Sequence, residues 1–255
     1  MDEHRYQTSG HGPRRLLLIH GWFWDQRVFA ALIALLPPDE FTCATFDIAG
    51  YGTARAEEGP YDMAAMAEDG WRVAQALGWN DFAVLGHSMG GKAAQKLAID
   101  HADAVRAVIA VTPVSVAPLP FPPEVRAFFE RSCGDDDVAG ALVGESVGGR
   151  LSQAWLDDIV ARTRETADDD TRRAYLRSFA DDDFSPEAPR LTAPLLVVFG
   201  EHDHGVAESV MRPVYEGLYP HARFATIAGV GHYPMLEAPE ALAATIAAFL
   251  SEMSC

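Results

Sequence analysis

A chain of 255 residues, 49% of them hydrophobic, can bury a full core, and its length suits one α/β domain as well as two smaller ones. Its formal net charge of −17 argues against nucleic acid or an anionic membrane surface as a partner, since both would repel it. No apolar run approaches a membrane span, the first residues lack a signal-peptide pattern, and three scattered cysteines, Cys43, Cys133 and Cys255, indicate neither a disulfide framework nor a cysteine metal site. The expectation is a cytoplasmic globular protein with no metal or other cofactor.

Residues 1–14 are polar and close on Gly10, Gly12 and Pro13, leaving room for one short strand around residues 5–8. Leu16-Leu17-Leu18-Ile19 is the first strong strand and runs into His20-Gly21-Trp22-Phe23-Trp24. Asp25 then caps a helix whose apolar positions Val28, Phe29, Leu32, Ile33 and Leu36 recur at helical spacing until Pro37-Pro38. A strand at 42–46 leads into Asp47-Ile48-Ala49-Gly50-Tyr51-Gly52. Asp62 caps a helix carrying Met63, Met66, Val73 and Leu77, and Gly78 closes it. Phe82-Ala83-Val84-Leu85 is a strand followed by the turn Gly86-His87-Ser88-Met89-Gly90-Gly91, the helix-forming run from Lys92 to Ala98, and another strand at 107–111.

Residues 114–189 change character. Pro118, Pro120, Pro122 and Pro123 come first, then acidic, helical sequence without a clear strand, so the block reads as an insertion. Its triplets Asp135-Asp136-Asp137, Asp168-Asp169-Asp170 and Asp181-Asp182-Asp183 lack the glycine-punctuated spacing of a calcium loop and read as solvated helix starts. The strand rhythm resumes at 195–199, ending in Gly200-Glu201-His202-Asp203, and at 223–227, ending in Ala228-Gly229-Val230-Gly231-His232. Pro239 opens a last helix with Leu242, Ile246, Phe249 and Leu250 on one face. Nearly continuous apolar strands alternating with helices imply an α/β fold with a mostly parallel sheet covered on both faces, whose sites form at the carboxyl ends of strands. His20, Asp47, Ser88, Asp203 and His232 all lie at or just beyond such ends.

A serine on a strand-to-helix turn is held in a strained backbone, and glycines two before and two after it leave room for strand and helix to approach. Gly86 and Gly90 meet that need, which makes Ser88 the candidate nucleophile; the N–H of Met89, at a helix start, favours developing negative charge. Gly144-Glu145-Ser146-Val147-Gly148 matches the same five-residue pattern, but it follows an acid-capped helical stretch and not a buried strand.

A serine hydroxyl requires a base, and a histidine base requires a carboxylate. His232, glycine-flanked after the last strand, fits the first role. Glu201 and Asp203 compete for the second, and Asp203, deeper in the loop, is preferred. His202, Asp203 and His204 also suggest a metal, yet a third ligand at suitable spacing is missing.

Together these features resemble the α/β-hydrolase family, from Leu16 almost to the end of the chain. The elbow Gly-His-Ser-Met-Gly-Gly, the order serine, acid, histidine, the His20-Gly21 turn, the Asp47–Gly52 loop and Gly-x-x-Asp at 200–203 all match. The resemblance implies that Ser88 attacks, His232 acts as general base then acid, Asp203 orients His232, and the N–H groups of Trp22 and Met89 form the oxyanion hole. It also makes the chain a single domain over 1–255, with residues 114–189 as a helical cap. The family's first two strands are mostly lost, so six or seven strands are expected. Thr53-Ala54-Arg55 replaces the serine often found after the Gly-x-Gly loop, and Val206 stands where a proline is common.

The expected reaction is hydrolysis of a small carboxylic ester or lactone through an acyl-enzyme. Phe23 and Trp24 flank the oxyanion loop as candidate pocket residues, although each could equally pack the core. A small-molecule receptor of the same fold is the alternative, as are perhydrolase, acyltransferase and carbon–carbon hydrolase activities.

Overall fold

The computed structural model describes residues 5–253, so residues 1–4 and 254–255, Cys255 among them, lie outside the described chain. Seven strands form one sheet: β1 (Tyr6–Gly10), β2 (Arg14–Ile19), β3 (Phe41–Phe46), β4 (Phe82–His87), β5 (Val105–Val111), β6 (Leu195–Gly200) and β7 (Arg223–Ile227). They lie in the order β1-β3-β2-β4-β5-β6-β7. All neighbours run parallel except β1, which pairs antiparallel with β3, Tyr6 facing Phe46 and Gly10 facing Thr42. Residues 16–19 are wholly excluded from solvent and β4 and β6 are buried along their whole length, as unbroken apolar strands require between two helical layers.

The helix after β2 is divided. Asp25 accepts the Arg27 N–H at 2.9 Å and starts a 3-10 turn, Gln26–Phe29, before α1 (Ala30–Leu35). Asp62 caps α2 (Met63–Ala76) through the Ala65 N–H at 2.7 Å, and Gly78 follows at φ +67°. α2 packs on α3 (Met89–Asp100), which crosses β2, β4 and β5. After β6 come α8 (Glu208–Leu218), which Pro213 in its interior disguises in the sequence, the single turn α9 (Pro234–Glu237), and α10 (Pro239–Ser251), which packs on α1.

Strand order reverses between β2 and β4, because β2 connects outward to β3 while β4 continues toward β7. A crevice opens at the carboxyl ends of strands at such a reversal. His20 and Ser88 follow these two strands.

Between β5 and β6 lie α4 (Pro123–Ser132), α5 (Asp136–Ser146), α6 (Gln153–Thr166), α7 (Asp169–Asp181) and a 3-10 segment, Ser185–Arg190, with no strand among the described residues there. Asp135 and Asp168 cap α5 and α7 as the triplets suggest. The third triplet differs: Asp181 ends α7 and pairs with Arg126, while Asp183 accepts the Ser185 N–H at the 3-10 start. Many polar bonds fasten this block to the rest. The Trp22 indole donates to Arg172 O at 3.0 Å, Thr166 Oγ1 to Phe23 O at 3.1 Å, and Tyr175 OH to Ala49 O at 3.0 Å. Lys92, fully buried on α3, donates to the carbonyls of Ala117 (3.3 Å), Phe179 (3.1 Å) and Asp182 (2.5 Å).

Candidate active site

Ser88 stands between β4 and α3 at φ +54°, ψ −118°, a conformation an L residue adopts only when its surroundings impose it. The glycines supply the space. A Cβ on Gly86 would lie 2.0 Å from the Gly90 carbonyl oxygen, and one on Gly90 would lie 2.4 Å from that of Ile19. The second contact brings the start of α3 against the end of β2, next to the His20–Trp22 turn. The N–H groups of Trp22 and Met89 donate to no acceptor among the described hydrogen bonds.

His20 orders that turn from within. Its Nδ1 lies 3.0 Å from Gly21 O and its Nε2 3.4 Å from the Ile48 N–H, a pairing that requires the proton on Nδ1 and a neutral ring. Burial lowers its pKa, consistent with that state. Asp47 has no free acceptor for substrate. Its carboxylate takes the N–H groups of Gln26 (2.8 Å) and Thr53 (2.8 Å), the Gln26 amide and the Thr53 hydroxyl, and so holds two loops together.

Asp203 and His232 meet. His232 Nδ1 lies 2.7 Å from Asp203 Oδ2, while Asp203 Oδ1 accepts the N–H groups of Gly205 at 2.8 Å and Val206 at 3.1 Å. Asp203 is 3% exposed. Glu201 is turned away and accepts the Gly229 N–H at 2.7 Å. His202 and His204 take no part in a metal cluster, and no group able to hold a metal ion occurs among the described residues.

The backbone of His232 is tied on both sides. Its N–H donates to Ser146 O at 3.0 Å; its carbonyl accepts from His87 Nε2 at 2.9 Å and from Thr112 Oγ1 at 2.9 Å. Thr112 sits at φ +41°, rare for a β-branched residue, just beyond β5. His87 is fully buried, and burial together with the neighbouring His232 holds its pKa well below the usual range. Its ring is therefore neutral, with the proton on Nε2.

Ser88 and His232 line one cavity, with Trp22, Phe23, Phe121, Phe129 and Phe179 among its walls. Apart from His232, the lining holds no histidine, carboxylate, ammonium or guanidinium side chain. One sequence expectation changes here, and one residue gains a role the sequence did not suggest. Trp24 does not line the cavity: it packs edge-on against Tyr233, ring centres 5.7 Å apart, because the positive φ of Phe23 (+71°) reverses the chain between Trp22 and Trp24. Ser146 is more than a chance motif. It ends α5 with its hydroxyl on Val143 O at 2.8 Å, yet it also lines the cavity and holds the His232 loop. The wall residues Phe121, Phe129 and Phe179 escaped the sequence reading; large aromatics in an otherwise acidic, polar block were their one signal.

Comparison with known proteins agrees with this fold. Residues 14–239 match the family model described as "alpha/beta hydrolase fold". The chain is 28% identical over 258 residues to the pimeloyl-[acyl-carrier protein] methyl ester esterase of Photorhabdus laumondii, covering 96% of this chain and 95% of that one. Among solved structures it is similar to an esterase from Exiguobacterium antarcticum (TM-score 0.86, 20% identity, 96% and 94% covered). It is also similar to an enol-lactonase from Burkholderia xenovorans (TM-score 0.80, 23% identity, 96% and 95% covered). At these identities the two structures speak for the fold alone. No helix among the described residues is long and apolar enough to cross a membrane.

Proposed function

The chain belongs to the α/β-hydrolase fold family, and from that premise we propose how it works as an ester hydrolase: Ser88 is the nucleophile, His232 the base and Asp203 the carboxylate that orients it. The observation that carries this reading is the 2.7 Å Asp203–His232 pair facing the same cavity as a serine held at φ +54°. The Asp203 carboxylate accepts a hydrogen bond from the Nδ1–H of His232, which leaves Nε2 as the lone-pair nitrogen toward the cavity.

The Ser88 Oγ–H gives its proton to His232 Nε2 as Oγ bonds to the ester carbonyl carbon, and the carbonyl oxygen becomes an oxyanion. The Trp22 and Met89 N–H groups receive that charge, each worth on the order of 3 kcal/mol when well placed. Collapse of the intermediate breaks the bond to the alcohol, which leaves with the proton from His232. Water, deprotonated by the same imidazole, then releases the acid and restores Ser88.

The walls favour an uncharged carboxylic ester or lactone with an apolar or aromatic body, because a carboxylate or ammonium placed among Trp22, Phe121, Phe129 and Phe179 would lose its hydration without a partner. Residues 114–189 act as the cap that supplies Phe121, Phe129 and Phe179 to these walls, within one domain.

Turnover of a panel of neutral and charged esters, lactones and thioesters, scored by kcat/KM, tests the reading, with covalent labelling of Ser88 by a serine-directed phosphonate as the companion measurement. Rapid turnover of neutral esters and loss of both signals in Ser88→Ala support it. Tight binding and labelling with turnover slower than one event in many minutes would support a receptor instead.

A further inference from the structure

We propose that Glu237 is a positioning residue for His232 and that Arg150 couples it to the block α4–α7; the inference rests on the reading of His232 as the base. Glu237 closes the single turn α9, and its side chain is 3% exposed. Its carboxylate straddles the histidine. Oε2 accepts the N–H of Gly231 at 2.8 Å and Oε1 accepts the N–H of Tyr233 at 3.0 Å.

The two peptide planes that meet at the His232 Cα are both constrained, one of them by Glu237. The plane between residues 232 and 233 is held at its N–H by Glu237 and at its carbonyl by His87 and Thr112. The plane between 231 and 232 is held at its N–H by Ser146 O. With both planes set, the backbone angles of His232 are set, and its side chain leaves the loop in one direction, toward Asp203 and the cavity. Bonds from N–H groups to a carboxylate are about twice as strong as neutral ones.

Gly231 makes room for this arrangement. A Cβ there would lie 2.5 Å from the Cα of Val147, so the residue after α5 presses directly on the loop that Glu237 grips. Arg150, from the same connection between α5 and α6, places a guanidinium nitrogen 3.5 Å from Glu237 Oε2 and supplies the cation that a shielded carboxylate needs. The block α4–α7 therefore reaches the His232 loop twice, through the Ser146 carbonyl and through Arg150. Movement of this connection is transmitted to the base.

A helix-cap role alone would also place Glu237 at the Tyr233 N–H, since α9 starts there. The two roles differ in what they change. Loss of a cap lowers the melting temperature and leaves the folded enzyme's rate intact; loss of a positioning group lowers kcat while substrate still binds.

Glu237→Gln keeps the shape but turns an N–H donor toward one of the two backbone donors. With a neutral p-nitrophenyl ester, its kcat is expected to fall about 10- to 100-fold, the scale of an ångström-level misplacement of a catalytic group, with KM within about twofold. Phosphonate labelling of Ser88 should slow by the same factor. Wild-type kcat in folded Glu237→Gln, whatever its melting temperature, overturns the proposal. Should that variant not fold, the half-exposed Arg150→Ala decides: a kcat lower by about threefold at unchanged KM supports the coupling, and an unchanged kcat overturns it. Ser88→Ala in the same assay separates the two levels. If it stays active, the reading of the site itself fails; if it is silent while Glu237 variants are unimpaired, only the positioning role fails.

Discussion

His87 Nε2 lies 2.9 Å from the carbonyl oxygen of His232, so the residue just before the proposed nucleophile holds the backbone of the proposed base. Because a carbonyl only accepts, Nε2 carries the proton and the ring is neutral, while Nδ1 is buried without a hydrogen-bond partner. The strand end that presents Ser88 and the loop that presents His232 are thus one hydrogen-bonded unit.

That neutrality makes stability depend on acid. Burial lowers the pKa of His87 and of His20 below the usual 6.5, so below that pH the unfolded chain binds protons that the folded chain refuses. Stability is then complete above about pH 6.5 and falls as pH drops toward the folded values, by up to about 1.4 kcal/mol per pH unit for each histidine. Urea unfolding of wild type and His87→Gln at pH 7 and 5.5 checks this: the glutamine can still donate to His232 O but cannot titrate, so its acid slope should be shallower by one histidine's share. Identical slopes would refute the assignment.

The two serines of the repeated motif should separate cleanly. Ser88→Ala is expected to remove turnover by about four to six orders of magnitude, the loss typical of a serine nucleophile. Ser146→Ala deletes a hydroxyl bonded to Val143 O on the cavity wall and leaves the backbone carbonyl that holds His232, so KM should change by a few-fold and kcat little. Steady-state kinetics of both decide, and comparable losses in kcat would exclude Ser88 as the nucleophile.

For the acid, Asp203→Asn presents an amide to His232 Nδ1 and favours the wrong tautomer, which should cost about a thousandfold or more in kcat. Glu201→Gln disturbs a bond to the Gly229 N–H in an exposed loop and should cost less than threefold, within the effect of a weak surface contact. A damaging Glu201→Gln beside a mild Asp203→Asn would reverse the assignment.

Lys92 should be the most sensitive bond between α3 and the block above it. Burial pushes its pKa down to about 8 against the pull of Asp182, Asp183 and Asp181, and its ammonium serves three main-chain carbonyls at once. Lys92→Met fills the same space but leaves those carbonyls without their donor, for an expected loss of about 2–4 kcal/mol by urea unfolding. Replacing residues 114–189 with a short linker would expose Lys92, Trp22 and Phe23 together. The expected product is an insoluble core; a soluble, folded core with altered substrate preference would show residues 114–189 to be a separable layer.

The strand, turn and helix around Ser88 were legible because every feature that makes them is local. An apolar run, two glycines and a helix former interact within about ten residues, and the same holds for the Asp62 cap and the Gly78 stop. The expectation for α1 missed its 3-10 start, and α8 was hidden by Pro213, because packing there outweighs local propensity.

What the chain order alone determined is an alternation of apolar strands and helices that places Ser88, Asp203 and His232 at strand ends. Which side chains meet there was decided only by tertiary structure. Glu201 and Asp203 stand two residues apart on one loop, and the turn stabilised by the Gly205 and Val206 N–H groups aims one at His232 and the other at Gly229. Trp24 left the pocket through a single positive φ at Phe23, and Ser146 and Thr112 reached the His232 loop from segments up to 120 residues distant. Such contacts are made by backbone groups and by the packing of elements far apart in sequence. A backbone carbonyl is the same in every residue, so the sequence carries no mark of which one will hold a catalytic loop.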